Sequence, residues 1–194
     1  MVLSCQRYDE IASFVAKLLN ELRINSIPID PFEIASRLGL GLVSYSSLSP
    51  KIIEKTMMES EDGFSFQSDY GWIIFYNDRK QISRIRFTIA HEIGHILLNH
   101  SQESDLAESE ANYFARYLLA PPVLVQLVAY LGPSLVSDIF LIGMEATINA
   151  LRQASSRQQY RKLIYCDADQ ILLTLFKTEV KEEGQYGIRQ KKPS

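Results

Sequence analysis

Apolar residues recur every three or four positions over several stretches of this chain, and that spacing is typical of amphipathic helices. One stretch begins at Asp30-Pro31, where Asp30 suits the N-cap and Pro31 the first turn. Glu33 adds a capping-box pattern, and Gly39 marks the end of this helix. The pattern predicts helices over residues 8–23, 30–39, 83–99, 107–119 and 123–131, and two short helices around Gly143 within 137–152.

Short runs rich in β-branched and aromatic residues predict strands between the helix at 30–39 and the helix at 83–99. The predicted strands are residues 40–45, 63–67 and 72–76, with a turn over 68–71. Residues 51–59 fit either a short helix or a mobile loop, and residues 162–165 and 171–176 are predicted to form a hairpin. The expected fold class is α+β: a small, mostly antiparallel sheet packed on the helix at 83–99, with additional helices.

The length of 194 residues is enough for one domain with a small appendage. We expect a domain over residues 1–157, which includes the helical pair at its C-terminal end. A hairpin and a charged tail are expected over residues 158–194.

Charge and cysteine content narrow the possible partners and compartments. The net charge is −3, so no strong positive field favours direct binding to nucleic acid or to a membrane surface. The two cysteines, Cys5 and Cys166, are too few for a disulfide framework. The N-terminus lacks a basic segment followed by an apolar one, so we expect a cytoplasmic protein.

The strongest chemical signal is His91-Glu92-Ile93-Gly94-His95, an HExxH motif within a predicted helix. Residues i and i+4 lie one turn apart on the same helix face, so the two imidazoles can bind one Zn²⁺. Glu92 is rotated by roughly 100° from His91 and can act on a water molecule as a general base. A chance motif would leave two surface histidines, but this one lies inside an apolar pattern, which favours a metal site.

A catalytic zinc site normally has a third protein ligand and one open position. The acidic candidates that follow the motif are Glu103, Asp105, Glu108 and Glu110. The apolar residues of the helix at 107–119 place Glu108 within its inward face and Glu110 at or beyond the edge of that face. Glu108 is therefore the predicted third ligand, and Glu110 is the alternative ligand. If Glu110 is not a ligand, it is expected to be a solvated acid near the start of the helix.

Two other polar residues lie close to the candidate ligands in the sequence. Asn112 is four residues after Glu108 and could hydrogen-bond a histidine ligand. His100 lies nine residues after His91, which on a continuous helix is the opposite face. We therefore interpret His100 as a helix-end residue rather than a ligand.

The segment Arg86 to Leu98 resembles the active-site helix of the ImmA/IrrE family of metallopeptidases, and Glu108 to Pro121 resembles the second signature of that family. Residues 27–35 and 62–65 are also similar to the opening of its members, and the resemblance extends over about residues 8–155. It implies a cytoplasmic bacterial or phage zinc peptidase with a gluzincin-like site: metal ligands His91, His95 and Glu108, and Glu92 as the base.

Characterised members of this family cut a repressor of the helix-turn-helix type, so the resemblance implies an anti-repressor that regulates transcription by proteolysis. Two alternatives stay open: a metal-containing module that acts on the repressor by contact alone, and a DNA-binding regulator that uses residues 137–152. An intact Glu92 favours the enzyme over the binding module. The scarcity of basic residues beside the helical pair disfavours DNA binding.

Overall fold

The structure is a computed structural model that describes residues 3–102, 104–160, 166–176, 179–180 and 186–187. The helices are α1 (Cys5–Glu21), α2 (Pro31–Arg37), α3 (Pro50–Glu59), α4 (Ile82–Leu97), α5 (Asp105–Leu119), α6 (Pro122–Val128), α7 (Pro133–Phe140), α8 (Met144–Tyr160) and α9 (Asp167–Leu175). The strands are β1 (Gly41–Ser44), β2 (Gly63–Ser68), β3 (Gly71–Tyr76), β4 (Glu179–Val180) and β5 (Tyr186–Gly187). The α+β class predicted from the sequence is confirmed.

The chain divides into two compact units. The first contains Asp30–Ala115 together with Leu3, and the second contains Ser4–Ile29 and the chain from Arg116 onward. The boundary predicted at residue 157 falls inside α8. The tail predicted behind that boundary lies partly outside the described residues, so this division stays a prediction.

In the first unit a three-stranded sheet of order β1-β3-β2 supports α4. Helix α4 contacts β2, β3 and α2, and its Ile89 and Ile93 are fully buried, as is Ile74 of β3. The sequence explains this packing, because Ile85, Ile89 and Ile93 recur one helical turn apart on a single face of α4. The helix that carries the HExxH motif is thus held firmly on the sheet.

The expectation of a mostly antiparallel sheet is only half right. Strands β2 and β3 form an antiparallel hairpin, whereas β1 pairs with β3 in parallel. The physical reason is the connection: α3 and β2 lie between β1 and β3 in the chain, which gives the crossover that parallel neighbours need. The segment 51–59, left open between helix and loop, is helical within α3.

The second unit is built from helices and a short two-stranded ladder, β4-β5. Helix α1 packs against α9, and α6 packs against α8 and α9.

The run from Asp105 to Leu131 is long and apolar enough to cross a membrane by composition alone, but 72% of its most apolar window is buried. Core helices of globular proteins have this property.

The predicted hairpin around Asp167 is wrong in its second half, because residues 167–175 form α9. Ala168, Leu172 and Phe176 are buried and follow one another at four-residue intervals, which is the period of a helix face. The Asp169 carboxylate accepts a hydrogen bond from the Cys166 backbone N–H at the start of this helix. The first half of the hairpin, residues 162–165, lies outside the described residues.

Candidate metal centre

His91 and His95 occupy one face of α4, one turn apart, and their side chains are only 15% and 17% exposed. Their Nε2 atoms lie 3.0 Å from each other. Without a metal, one neutral imidazole can donate a hydrogen bond to the other at this distance; with a metal, both nitrogen atoms can direct their lone pairs at the same cation.

Glu108, in the first turn of α5, completes the cluster. Its Oε1 lies 3.1 Å from Nε2 of His95, and its Oε2 lies 3.5 Å from Nε2 of His91. One ligand atom from each of these three residues falls within 4.8 Å of the others, so the group could hold a metal ion. The structure therefore brings together the three ligands predicted from the sequence.

The spacing of the donors provides a test of whether zinc fits. A tetrahedral zinc with bonds of about 2.0–2.1 Å holds its ligand atoms about 3.3–3.4 Å apart. The two imidazole nitrogen atoms are 3.0 Å apart, and each has one oxygen atom of the Glu108 carboxylate near it, Oε1 at 3.1 Å from His95 and Oε2 at 3.5 Å from His91, so the donors lie at about the spacing that zinc needs. Two imidazole nitrogens and a carboxylate oxygen are also the donor set of known catalytic zinc sites. The residues present fit the metal.

Gly94 lets α4 and α5 approach closely enough for Glu108 to reach the histidines. A Cβ atom added at Gly94 would lie 3.0 Å from Cδ1 of Phe114 and 3.2 Å from its Cβ. Phe114 is fully buried in α5, so its ring has little room to move. The glycine of the HExxH motif is therefore required by helix packing.

Gly94→Val should destabilise the metal-free protein by about 1–3 kcal/mol, because overpacking a filled core costs that much. Gly94→Ala should be less harmful, since the gain in helix propensity offsets part of the clash with Phe114. Denaturant unfolding of the metal-free variants measures both effects. An unfolding midpoint of the valine variant equal to that of wild type would show that Gly94 is not a packing requirement.

Glu92 lies beside the cluster and makes a defined contact with the sheet. The hydroxyl of Ser65, on β2, donates a hydrogen bond of 2.8 Å to Oε2 of Glu92, and the Ser65 backbone also bonds this carboxylate. Burial raises the pKa of Glu92 to about 7, and the nearby Glu108 acts in the same direction, while the bonds from Ser65 oppose the rise. A cation bound at the cluster would lower this pKa. Ser65 was not singled out as a site residue in the sequence.

The surroundings of His91 favour the neutral form of its imidazole, which is the form that binds a metal. Burial lowers its pKa to about 4, with His95 as the next cause, so the imidazole is neutral and able to coordinate. Asn112 opposes this shift from beside the ring, where the sequence suggested that it would support a histidine. Among the described residues, Nδ1 of His91 has no hydrogen-bond partner of good geometry, although it is buried.

The cluster opens into a cleft of about 440 Å³. The cleft is lined by the metal cluster and Glu92 and also by aromatic side chains from the sheet, Phe64 and Trp72. Strand β2 forms this side of the site and is an edge strand, because β3 occupies the centre of the sheet. Strand β3, the strand nearest α4 in the sequence, is therefore not the edge at which a peptide can pair.

His100 and Glu110 differ from their sequence interpretations. The side chain of Glu110 is 8% exposed and that of Glu108 is 51% exposed, so a solvated Glu110 and an inward Glu108 are wrong as descriptions of burial. Glu110 contacts His100, with 3.1 Å between its Oε2 and Nε2. Nδ1 of His100 lies 3.1 Å from Nδ1 of His95, so His100 does not point to the opposite face.

The end of α4 explains the position of His100. Asn99 has a φ of +58°, a left-handed conformation that asparagine tolerates better than most residues. The N–H of His100 donates to the carbonyl of His95, and the N–H of Asn99 donates to that of Ile96, which is a Schellman turn. The chain thus folds back over His95, and Asn99 is the sequence signal for this reversal.

Comparison with known proteins gives one family. A search of curated proteins finds no match to this chain. Residues 47–132, however, match the Peptidase_M78 family model, described as the IrrE N-terminal-like domain. The matched segment contains all four predicted site residues, Glu92 and the His91, His95 and Glu108 cluster. This match supports the assignment of the chain to the ImmA/IrrE family and a function of the metallopeptidase type.

Proposed function

We propose that this protein is a zinc-dependent endopeptidase of the cytoplasm that cleaves a regulatory protein. By resemblance to its family, the substrate is a helix-turn-helix repressor, so the protein acts as an anti-repressor encoded by a phage or another mobile element. The observation that carries the proposal is the convergence of two imidazole nitrogens and one carboxylate within 3.0–3.5 Å beside the buried Glu92.

His91, His95 and Glu108 would hold the zinc ion, and Glu92 would manage the protons. When bound, zinc in such a site polarises the scissile carbonyl and makes water a stronger acid. Glu92 accepts a proton from the attacking water on Oε1, because its Oε2 receives the Ser65 hydroxyl. The water oxygen bonds to the carbonyl carbon, the C–N bond breaks, and Glu92 returns the proton to the leaving amine.

The form of the cleft supports a polypeptide substrate. The cleft is open, and its wall includes the edge strand β2 from Gly63 to Ser65. Extended peptides often bind by adding a strand to an exposed sheet edge. A flexible segment of the repressor could therefore lie along β2 and bring one peptide bond to the His91, His95 and Glu108 cluster beside Glu92.

The helical pair α7–α8 gives little support to the DNA-binding alternative. A recognition helix presents several cations to phosphate and base edges. The first two turns of α8 instead expose the apolar Met144 and Ile148, together with the acidic Glu145. The metal site also has no place in that alternative.

The first test measures zinc and the cleavage that depends on it. Purified protein should carry close to one zinc per chain, and dialysis against a chelator should abolish cleavage of the repressor encoded nearby until zinc is returned. Elemental analysis and an immunoblot of the repressor measure the two results. Protein that contains no zinc after growth in zinc-replete medium, or cleavage that survives chelation, would reject the proposed function.

A further inference from the structure

A buried chain of side chains continues from the metal cluster into the protein. Nε2 of His95 belongs to the cluster, and Nδ1 of the same ring lies 3.1 Å from Nδ1 of His100. Nε2 of His100 lies 3.1 Å from Oε2 of Glu110. The side chains of His100 and Glu110 are 10% and 8% exposed, so water does not readily replace these contacts.

The two ends of this chain determine where its protons lie. A carboxylate only accepts hydrogen bonds, so Glu110 requires a proton on Nε2 of His100. A neutral His100 then has a lone pair on Nδ1, and this lone pair can accept only from a protonated Nδ1 of His95. His95 in turn presents the lone pair of Nε2 to the cluster, as a metal ligand must.

Burial of the Glu110 carboxylate opposes folding, which suggests that the residue serves a role other than packing. A carboxylate in the interior loses its hydration, and only hydrogen bonds and paired charges can replace it. An apolar residue at position 110 would suit the buried face of α5 better on packing alone. Residues that orient a metal-bound histidine commonly change metal affinity about 10–100-fold when they are substituted, which is enough to offset the cost of burying one carboxylate.

We propose that Glu110 and His100 are positioning residues for the metal, and that Glu110 fixes the tautomer of His95 through His100. They do not touch the metal or the substrate. This inference rests on the metal site of the proposed function and adds the residues that prepare it. It also assigns Glu110, the rejected ligand candidate, a separate role on the far side of His95.

Glu110→Gln keeps the shape of the side chain, but its amide can either accept from Nε2 of His100 or donate to it, so the tautomer is no longer fixed. Where the amide donates, His100 carries its proton on Nδ1, and His95 has to carry its proton on Nε2, where zinc binds. Zinc affinity should fall about 10–100-fold, as measured by competition with a chromophoric chelator. Glu54→Gln, which changes an exposed carboxylate on α3 in the same way, is the matched control and should bind as wild type does.

A readout that a packing role would not change is the histidine tautomer in the metal-free protein. Two-bond ¹H–¹⁵N spectra should place the proton of His95 on Nδ1 in wild type and on Nε2 in a substantial fraction of Glu110→Gln. An unchanged tautomer, or an affinity equal to that of Glu54→Gln, would overturn the proposal. If wild type itself binds no zinc, the proposed function fails as well; if wild type binds and Glu110→Gln binds equally, only this inference fails.

A second pair of variants decides the matter if Glu110→Gln does not fold. Asparagine and leucine have nearly the same shape, but only asparagine can accept the His95 Nδ1 proton. His100→Asn should therefore bind zinc at least several-fold more tightly than His100→Leu. Equal affinities would show that His100 acts by packing, which would overturn the proposal.

Discussion

Glu92→Gln should fold, retain its zinc and still bind its partner protein, while cleavage falls by about 10²–10⁴-fold, the usual contribution of a general base. The amide preserves the size of the side chain and its carbonyl can still accept the Ser65 hydroxyl. Folding should not suffer, because burial already raises the pKa of Glu92 and so disfavours the charge that the substitution removes. What is lost is the ability to take a proton from water.

Co-expression with the repressor measures this effect. Wild type and Glu92→Gln are each produced with the repressor, whose integrity is followed by immunoblot and whose target genes are followed by a reporter. Glu54→Gln, an exposed carboxylate on α3, controls for the loss of one negative charge and should cleave as wild type does. Zinc content and thermal unfolding of each variant show that the site and the fold are intact.

The same experiment separates the enzyme from a module that works by contact. If Glu92→Gln releases the target genes while the repressor stays intact, the protein acts on its partner without proteolysis. The metal cluster would then be structural in the regulatory role, and the family resemblance would hold only for the fold. Accumulation of intact repressor with genes still silent supports the peptidase.

The helices and the central motif were predictable because their signals are local. The i, i+4 spacing of His91 and His95 determines that they share a face, and the surrounding isoleucines determine which face packs on the sheet. The hairpin β2–β3 also follows from two apolar runs around a short polar turn. These features depend on neighbours within a few residues.

The features that failed depend on tertiary contacts. The opposite-face argument for His100 assumed that α4 continued, whereas the left-handed Asn99 turns the chain back. The burial of Glu110 could not be inferred from its helix, because its partner His100 comes from a different segment. A short apolar run such as residues 171–176 fits a strand or a helix equally well until its packing partner is known.

The site also contains an element that no motif shows. Ser65 lies 27 residues before Glu92 in the sequence, on a strand, and reaches the carboxylate only because α4 packs across β2. Its position in the segment that resembles the opening of the family was the available signal. A residue that supports a catalytic group from another element is seen in the fold rather than in the spacing.

The ligand variants should show the largest loss of metal. His91→Ala and His95→Ala should each purify without zinc, because two remaining donors cannot hold the ion against a chelator. Glu108→Gln should weaken zinc by more than Glu110→Gln does, since Glu108 reaches both imidazoles directly and Glu110 acts through His100.

Zinc-dependent stabilisation gives the measurement independently of any substrate. A ligand that binds only the folded state stabilises it by about 4.1 kcal/mol when present at 1,000 times its Kd. The Tm of wild type should therefore rise when zinc is added, because zinc binds the folded state, and the Tm of the histidine variants should not change. Full metal content in both histidine variants would reject the site, and a larger loss in Glu110→Gln than in Glu108→Gln would show that the ligand was assigned to the wrong carboxylate. Equal, small losses would instead identify Asp105 or Glu103 as the third ligand, of which Glu103 lies outside the described residues.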